Sequence, residues 1–151
     1  MRSLFKTISD FLEAFVLIIF PKQCVVCSSM LGQREKHICT FCKMNMPFVC
    51  QSVADKTDTE NILLGKIDYL CASSLLYYTK DSAYKNIIHS IKYNDRVDLA
   101  DYMGVIMAER LRNSGVYADV DCIVPVPLHK NKKKKRGYNQ SELLAKAISR
   151  E

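Results

Sequence analysis

The chain has 151 residues, of which 48% are hydrophobic and 25% charged; this is enough apolar material for one ordinary domain plus a small module, and too much for a disordered chain. Its formal net charge is +6, and six of the 22 basic residues lie in the acid-free stretch KNKKKKR at 130–136. The rest of the chain balances its charges, so the excess is a single patch. Such a patch suits a phosphorylated small molecule or one nucleic-acid contact, and excludes a protein coated for DNA over a whole face.

Residues 1–20 read as a leading amphipathic helix stopped at Pro21, with Leu4, Ile8, Phe11, Leu12 and Phe15 on one face. The apolar run Ala14 to Phe20 has seven residues, far short of the ~20 that span a bilayer. Lys6, Asp10 and Glu13 interrupt the stretch before it, and no small-residue cleavage site follows. The expectation is a cytoplasmic chain with no transmembrane segment, its helix packed on the rest of the protein; a membrane-surface role is the alternative.

Residues 21–50 form a cysteine-rich module. CVVC (24–27) and CTFC (39–42) are separated by 11 residues. Each CxxC is a tight knuckle that aims two sulfurs at one point, and two knuckles complete a tetrahedron of thiolates. The spacing predicts zinc held by Cys24, Cys27, Cys39 and Cys42. His37 is a substitute ligand that four cysteines make unnecessary. Four protein ligands leave no open position, so the zinc is structural, and a module this small relies on the metal for its folding energy. Cys50, Cys71 and Cys122 have no partners at metal spacing and read as small core hydrophobes. Seven cysteines without a secretory signal point to reduced thiols rather than a disulfide framework.

QSVADKTDTENILLGK (51–66) is polar and mixed, and reads as a linker. The remaining stretch, 67–151, has a different texture. Tyr69 to Tyr78 reads as a strand or strand pair. Asp81 and Ser82 offer a helix start, and Tyr84, Ile87, Ile88 and Ile91 give its apolar stripe. Asn94-Asp95 is a turn. A second helix over 96–113 buries Leu99, Met103, Ile106, Met107 and Leu111, and Gly115 is placed to cap it. Asp121 to Val126 reads as a buried strand. The last helix opens at Asn139, where Glu142 three residues on resembles a capping box, and turns Leu143, Leu144, Ala147 and Ile148 inward.

This order suggests an α/β fold with a parallel sheet, in which ligands sit beyond the C-terminal ends of the strands. The strand ending at Val126 then delivers Pro127 to Arg136 to the ligand position. Pro125 and Pro127 remove two backbone donors and stiffen the exit. Arg136 can hold a phosphate in a bidentate fork, while lysines act as mobile point charges. Gly137 allows a tight turn, and the helix opening at Asn139 has an N-terminus that favours anions. The competing reading of the same tract is a solvated loop that holds nothing.

VPVPLH (124–129), RGYNQS (136–141) and LLA (143–145), with FPKQCVVC (20–27), CTFC (39–42) and IKYNDRVDLA (91–100) upstream, resemble the ComF family of phosphoribosyltransferase-like proteins, which includes GntX-like members. The resemblance covers nearly all of the chain in the expected order. It implies an α/β architecture: an N-terminal helix and zinc ribbon, then over 67–151 the first part of a type I phosphoribosyltransferase-like parallel-sheet domain. It also implies binding of, or transfer from, phosphoribosyl pyrophosphate with Mg²⁺, pyrophosphate being displaced at the anomeric carbon. By motif position, Pro125, Val126, Pro127 and Leu128 belong to the pyrophosphate loop, with His129 either touching pyrophosphate or packing at the loop base. Lys135, Arg136 and the nearby lysines, with Gly137, belong to a flexible loop closing over the site, which Tyr138, Asn139 and Gln140 order. No catalytic residue is assigned. Lys92 and Tyr93 match a family step and read as a surface lysine beside a packed tyrosine. Asn131 to Lys133 stand where the family often carries arginine.

The acidic pair and Thr/Gly-rich loop expected of such transferases do not occur before Glu151, so the expectation is an N-terminal fragment or truncated product. The family name also points to DNA uptake, with single-stranded DNA or uptake-machinery proteins as partners. The rival function is therefore a nucleic-acid-binding accessory module without catalysis, and the plainest alternative is a zinc-stabilised scaffold.

Overall fold

A computed structural model of the chain describes residues 21–49, 58–115, 117 and 119–151. The helix expected over 1–20, Cys50 and the first part of the expected linker lie outside the described residues. These residues divide into two compact units, the first ending at Asn45 and the second beginning at Met46.

The first unit is held by short-range backbone bonds around its cysteines. Gln23 pairs with Met30 in an isolated antiparallel bridge, and the Leu31 amide donates to the Lys22 carbonyl at 2.8 Å. Ser28 turns the chain between them in the left-handed region, at φ 60°. Gly32 to Glu35 closes a second turn, and helix α1 (Thr40–Met44) follows with Cys39 at its N-cap. Val26 and Ile38 are buried beside the cysteines.

The second unit contains α2 (Asp58–Leu63), α3 (Lys85–Tyr93), α4 (Val97–Ser114), α5 (Lys130–Arg136) and α6 (Gln140–Arg150). Helix α2 falls within the stretch that reads as a linker in the sequence. The core is built on α4, whose Leu99, Ala100, Met103, Gly104, Ile106 and Ala108 are buried. Leu99 is fully buried, a contribution of about 1.5–3 kcal/mol for one such side chain. Gly115 ends α4 in the left-handed conformation, φ 68°, its amide donating to the Arg112 carbonyl, as its position in the sequence suggests. Met107 and Leu111, expected in the core, are half-buried.

Helix α6 packs along α4 closely enough that a Cβ on Gly104 would stand 2.4 Å from the Ala147 Cβ. An Arg150–Asp101 ion pair at 3.0 Å bridges the same two helices. Helix α3 buries Ile87 and Ile91, while Ile88 is exposed. The buried stripe of α3 is thus one i, i+4 pair, narrower than its apolar residues suggest.

The parallel-sheet α/β expectation is overturned. The described residues are mostly helical, and their β-structure is limited to the two isolated bridges Gln23–Met30 and Phe48–Leu76. Tyr69 to Tyr78 contributes only the second of these, flanked by Val49 N–H to Leu75 carbonyl and Tyr77 N–H to Pro47 carbonyl bonds. Asp121 to Val126 forms no strand, and Val124 is 81% and Val126 73% exposed. The physical reason is that β-branched residues favour an extended backbone without supplying a partner. A strand exists only through its lateral hydrogen bonds, Pro125 and Pro127 remove two donors, and no described segment pairs with this one.

Candidate functional site: a four-cysteine cluster and a cationic pocket

In the first unit, the Sγ atoms of Cys24, Cys27, Cys39 and Cys42 all lie within 4.8 Å of one another. Tetrahedral zinc with Zn–S bonds of ~2.3 Å sets its sulfurs roughly 3.8 Å apart, and Cys27 and Cys39 are at 3.7 Å. The local fold produces this convergence. The first knuckle turns at Ser28, and the Ser28 amide returns to the Cys24 carbonyl. Helix α1 carries Cys42 round to the same side as its N-cap Cys39, whose amide donates to Cys24 Sγ at 3.3 Å.

Glu35 braces the second knuckle, accepting from the Gly32 amide at 2.8 Å, the Thr40 hydroxyl at 2.6 Å and the Thr40 amide. These bonds hold its carboxyl below the usual value, the Thr40 hydroxyl contributing most. The Ser29 hydroxyl, 3.0 Å away, and then the Ser29 backbone lower the exposed Cys27 thiol to about 6. Burial, followed by its sulfur neighbours, pushes the Cys42 thiol up. A bound cation reverses that ordering, because four clustered sulfurs that resist shared negative charge accept it readily around a divalent ion. The cluster can hold a metal ion, and its donor set and spacing fit structural zinc. His37 is outside the cluster.

The second unit carries a cavity of about 310 Å³ lined by Lys92, Tyr93, Asp95, Lys132, Lys135 and Arg136. One wall is the last turn of α3 and the turn that follows it. The other is α5, where Lys132, Lys135 and Arg136 stand at i, i+3 and i+4 and so share one face. The tract read as a loop is helical for identifiable reasons. Lys and Arg are good helix formers. The His129 Nδ1 accepts from the Asn131 amide at 3.3 Å at the start, and Gly137 caps the end at φ 77°. The basic residues of the last turn complement the C-terminal end of the helix dipole.

Both ends of α5 are tied into the unit. The Tyr138 hydroxyl donates to the Ile91 carbonyl of α3 at 2.6 Å. The buried Asn139 donates from Nδ2 to the Val126 carbonyl at 3.0 Å and accepts the Ser141 amide at 3.1 Å. Glu142, expected to complete a capping box, instead pairs with Lys146 at 3.0 Å and reaches Lys133 at 3.6 Å. Those cations, Lys146 first, lower its carboxyl. Arg136 lies over the Tyr93 ring at 5.2 Å, and the His89 ring approaches Tyr93 at 4.9 Å. Burial raises the Tyr138 hydroxyl, and the Asp95 carboxylate raises it further. Four cations and one carboxylate line the same concave surface, an arrangement that concentrates anions.

Of the residues singled out from the sequence, Lys135 and Arg136 line this cavity and Gly137 caps the helix that carries them. Pro125 and Leu128 are half-buried outside it, and Val126, Pro127 and His129 are exposed. Val126 serves through its carbonyl as the anchor for Asn139, and His129 caps α5. Lys132, one of the lysines expected beside Lys135 and Arg136 in the closing loop, also lines the cavity, together with Lys92, Tyr93 and Asp95, to which the sequence assigns no binding role. The signal for Lys132 was its helical spacing from Lys135 and Arg136; the signal for Lys92 and Tyr93 was the IKY step. Cys71 is half-buried and Cys122 exposed, so neither is the core hydrophobe expected.

The chain is 26% identical to the competence protein ComFC of Bacillus subtilis (strain 168) over 140 residues, which cover 90% of this chain and 55% of that protein. This match and the four-cysteine cluster fit a ComF-like protein with a zinc site. The chain spans about half the length of the curated relative it matches. No family model matches it, and no solved structure does. Among the described residues no helix is long and apolar enough to cross a membrane.

Proposed function

We propose that this is a ComF-like protein associated with competence, in which zinc keeps the small module folded and the α3–α5 pocket holds phosphate groups of a phosphorylated small molecule. Phosphoribosyl pyrophosphate, with its Mg²⁺, is the ligand that the resemblance to ComF proteins implies. The observation that carries the reading is the convergence of Lys92, Lys132, Lys135 and Arg136 on one cavity. Its volume stands at the low end of the ~300–1,000 Å³ typical of small-molecule sites. Arg136 is set against Tyr93 before any ligand arrives, so less side-chain freedom is lost on binding.

A second reading, a single-stranded nucleic-acid contact, is favoured by one observation. Lys130 and Lys134 do not line the cavity and are exposed, giving α5 a free cationic side that could track a sugar–phosphate backbone. Tyr93 is already engaged by Arg136 and His89, which argues against its use as a platform for stacked bases.

Calorimetric titration with phosphoribosyl pyrophosphate and Mg²⁺, and separately with an oligonucleotide, tests the choice. The pocket reading expects saturable donor binding that Arg136→Ala weakens about tenfold or more. Donor binding indifferent to Arg136→Ala, or oligonucleotide binding alone that collapses at moderate salt, would overturn it.

A further inference from the structure

The four sulfurs of the metal cluster are not equally shielded. Cys24, Cys39 and Cys42 are 2%, 8% and 4% exposed, whereas Cys27 is open to solvent. The cause is local. Cys27 is the last residue before the left-handed turn at Ser28, and Ser28 to Met30 are exposed with it. Cys39 follows the buried Ile38, and Cys42 is the buried residue of α1. All four sulfurs are thiolates when they hold a divalent cation, and the thiolate is the form that oxidants attack. Charge therefore does not distinguish them, but access does. Two contacts then bear on Cys27. The Ser29 hydroxyl stands 3.0 Å from its Sγ, where it donates once the sulfur is a thiolate. The Cys39 Sγ lies at 3.7 Å, a short approach from the ~2.0 Å of a disulfide.

We infer that Cys27 is an oxidation site at which a hydroperoxide opens the metal cluster, with Cys39 as the resolving thiol. The Cys27 thiolate attacks the peroxide oxygen, the O–O bond breaks, and sulfenic acid and hydroxide form; sulfur gives up the two electrons that the peroxide gains. The Cys39 thiolate then attacks the Cys27 sulfur, the S–O bond breaks, and a disulfide forms as a second hydroxide leaves to solvent. Two of the four ligands are withdrawn. Cys24 and Cys42 alone do not complete a tetrahedral site, so the module loses its metal and the folding energy that came with it. A dithiol reductant returns both sulfurs to the site. The inference rests on the zinc reading above and adds a redox response to it.

The zinc-loaded full chain, treated with hydrogen peroxide, tests it. Zinc release is followed with a chromogenic chelator, and the cysteines by differential alkylation and peptide mass spectrometry. With limiting peroxide and dimedone present to trap sulfenic acid, the first adduct among the four ligands is expected on Cys27. Without the trap, a Cys27–Cys39 disulfide and loss of zinc should appear together, and dithiothreitol with added zinc should restore the site. Ser29→Ala keeps all four ligands and removes the neighbouring hydroxyl. It should bind zinc as the wild type does and release it several-fold faster under peroxide, because a hydrogen bond to a thiolate holds charge that otherwise attacks. Cys122→Ser removes another exposed thiol and should leave the release rate unchanged.

If the first adduct falls on Cys24, Cys39 or Cys42, if zinc stays bound while peroxide oxidises Cys122, or if Cys122→Ser abolishes release, the inference is overturned while the zinc reading stands. A disulfide from Cys27 to Cys24 or Cys42 overturns the resolving role of Cys39, and a release rate that Ser29→Ala leaves unchanged or slows overturns the part given to its hydroxyl. If the chain binds no zinc before treatment, the zinc reading falls and takes this inference with it.

Discussion

Replacing Gly104 by alanine tests whether the α4–α6 contact supports the unit that carries the pocket. Helix α6 follows directly on Tyr138 and Asn139, which tie α5 to α3 and to the Val126 carbonyl. A Cβ at Gly104 would stand 2.4 Å from the Ala147 Cβ and 3.2 Å from the Leu144 carbonyl oxygen. Non-bonded carbons rest at ~3.5–4.0 Å, so the helices must part by roughly 1 Å. Overpacking of this kind costs ~1–3 kcal/mol. Alanine recovers about 1 kcal/mol of helix propensity relative to glycine. The net effect is a destabilisation of up to about 2 kcal/mol, and at ~2–4 °C per kcal/mol for a chain of this size the melting temperature falls by a few degrees. Thermal melts followed by circular dichroism would measure it. The double variant Gly104→Ala/Ala147→Gly removes the closer clash, so it should be more stable than the sum of the two single changes. A Gly104→Ala protein as stable as the wild type, with additive single and double variants, would refute the reasoning.

Asn139→Ala should cost about 1–2 kcal/mol in urea unfolding, since it removes an N-cap and leaves the Val126 carbonyl without its donor. Asn139→Asp keeps the cap acceptor but sets a carboxylate oxygen against the Val126 carbonyl, so it should be destabilised as well. An NMR titration of the Glu35 carboxyl should place its midpoint below 4.5, because the Thr40 hydroxyl, the Gly32 amide and the Thr40 amide favour the charged form. A depressed folded value means that its contribution to stability is complete above the unfolded value and is lost as the pH falls through the folded one. Glu35→Gln should remove that acid-sensitive step, seen in the Gly32 and Thr40 amide signals. Metal analysis should find zinc bound to the chain, Cys24→Ser or Cys42→Ser should abolish it, and chelation should expose the Val26 and Ile38 amides to exchange while α4 stays protected.

The helical part of the second unit was legible in the sequence because its signals are periodic and local. Ile87 and Ile91 stand one turn apart, Leu99, Met103 and Ile106 repeat on one face of α4, and Gly115 follows as a cap. The metal cluster was legible for a similar reason, since two CxxC knuckles specify their own geometry. The expected sheet failed where the information is not local: Asp121 to Val126 has the composition of a buried strand, but pairing depends on a second segment that the run itself does not encode. The basic tract departs from its expectation in the opposite sense. Its charge suggested a loop, yet it contains no residue that breaks a helix, and Gly137 stands ready to cap it. The candidate site was half visible. Arg136 and Lys135 could be picked out by charge, whereas Lys92, Tyr93 and Asp95 join them only because Tyr138 bridges back to Ile91, a contact 47 residues apart in the chain.

The proposed site requires cations on α3 and α5 to act together on a phosphate group. Amide chemical-shift mapping during a titration with ribose 5-phosphate at near-physiological salt tests it most directly. Saturating shifts confined to Tyr93–Asp95 and Lys132–Gly137, and absent in the Arg136→Ala protein, are expected. Shifts that grow linearly with concentration and spread over every exposed lysine would show general ionic screening in place of a site, and would contradict it.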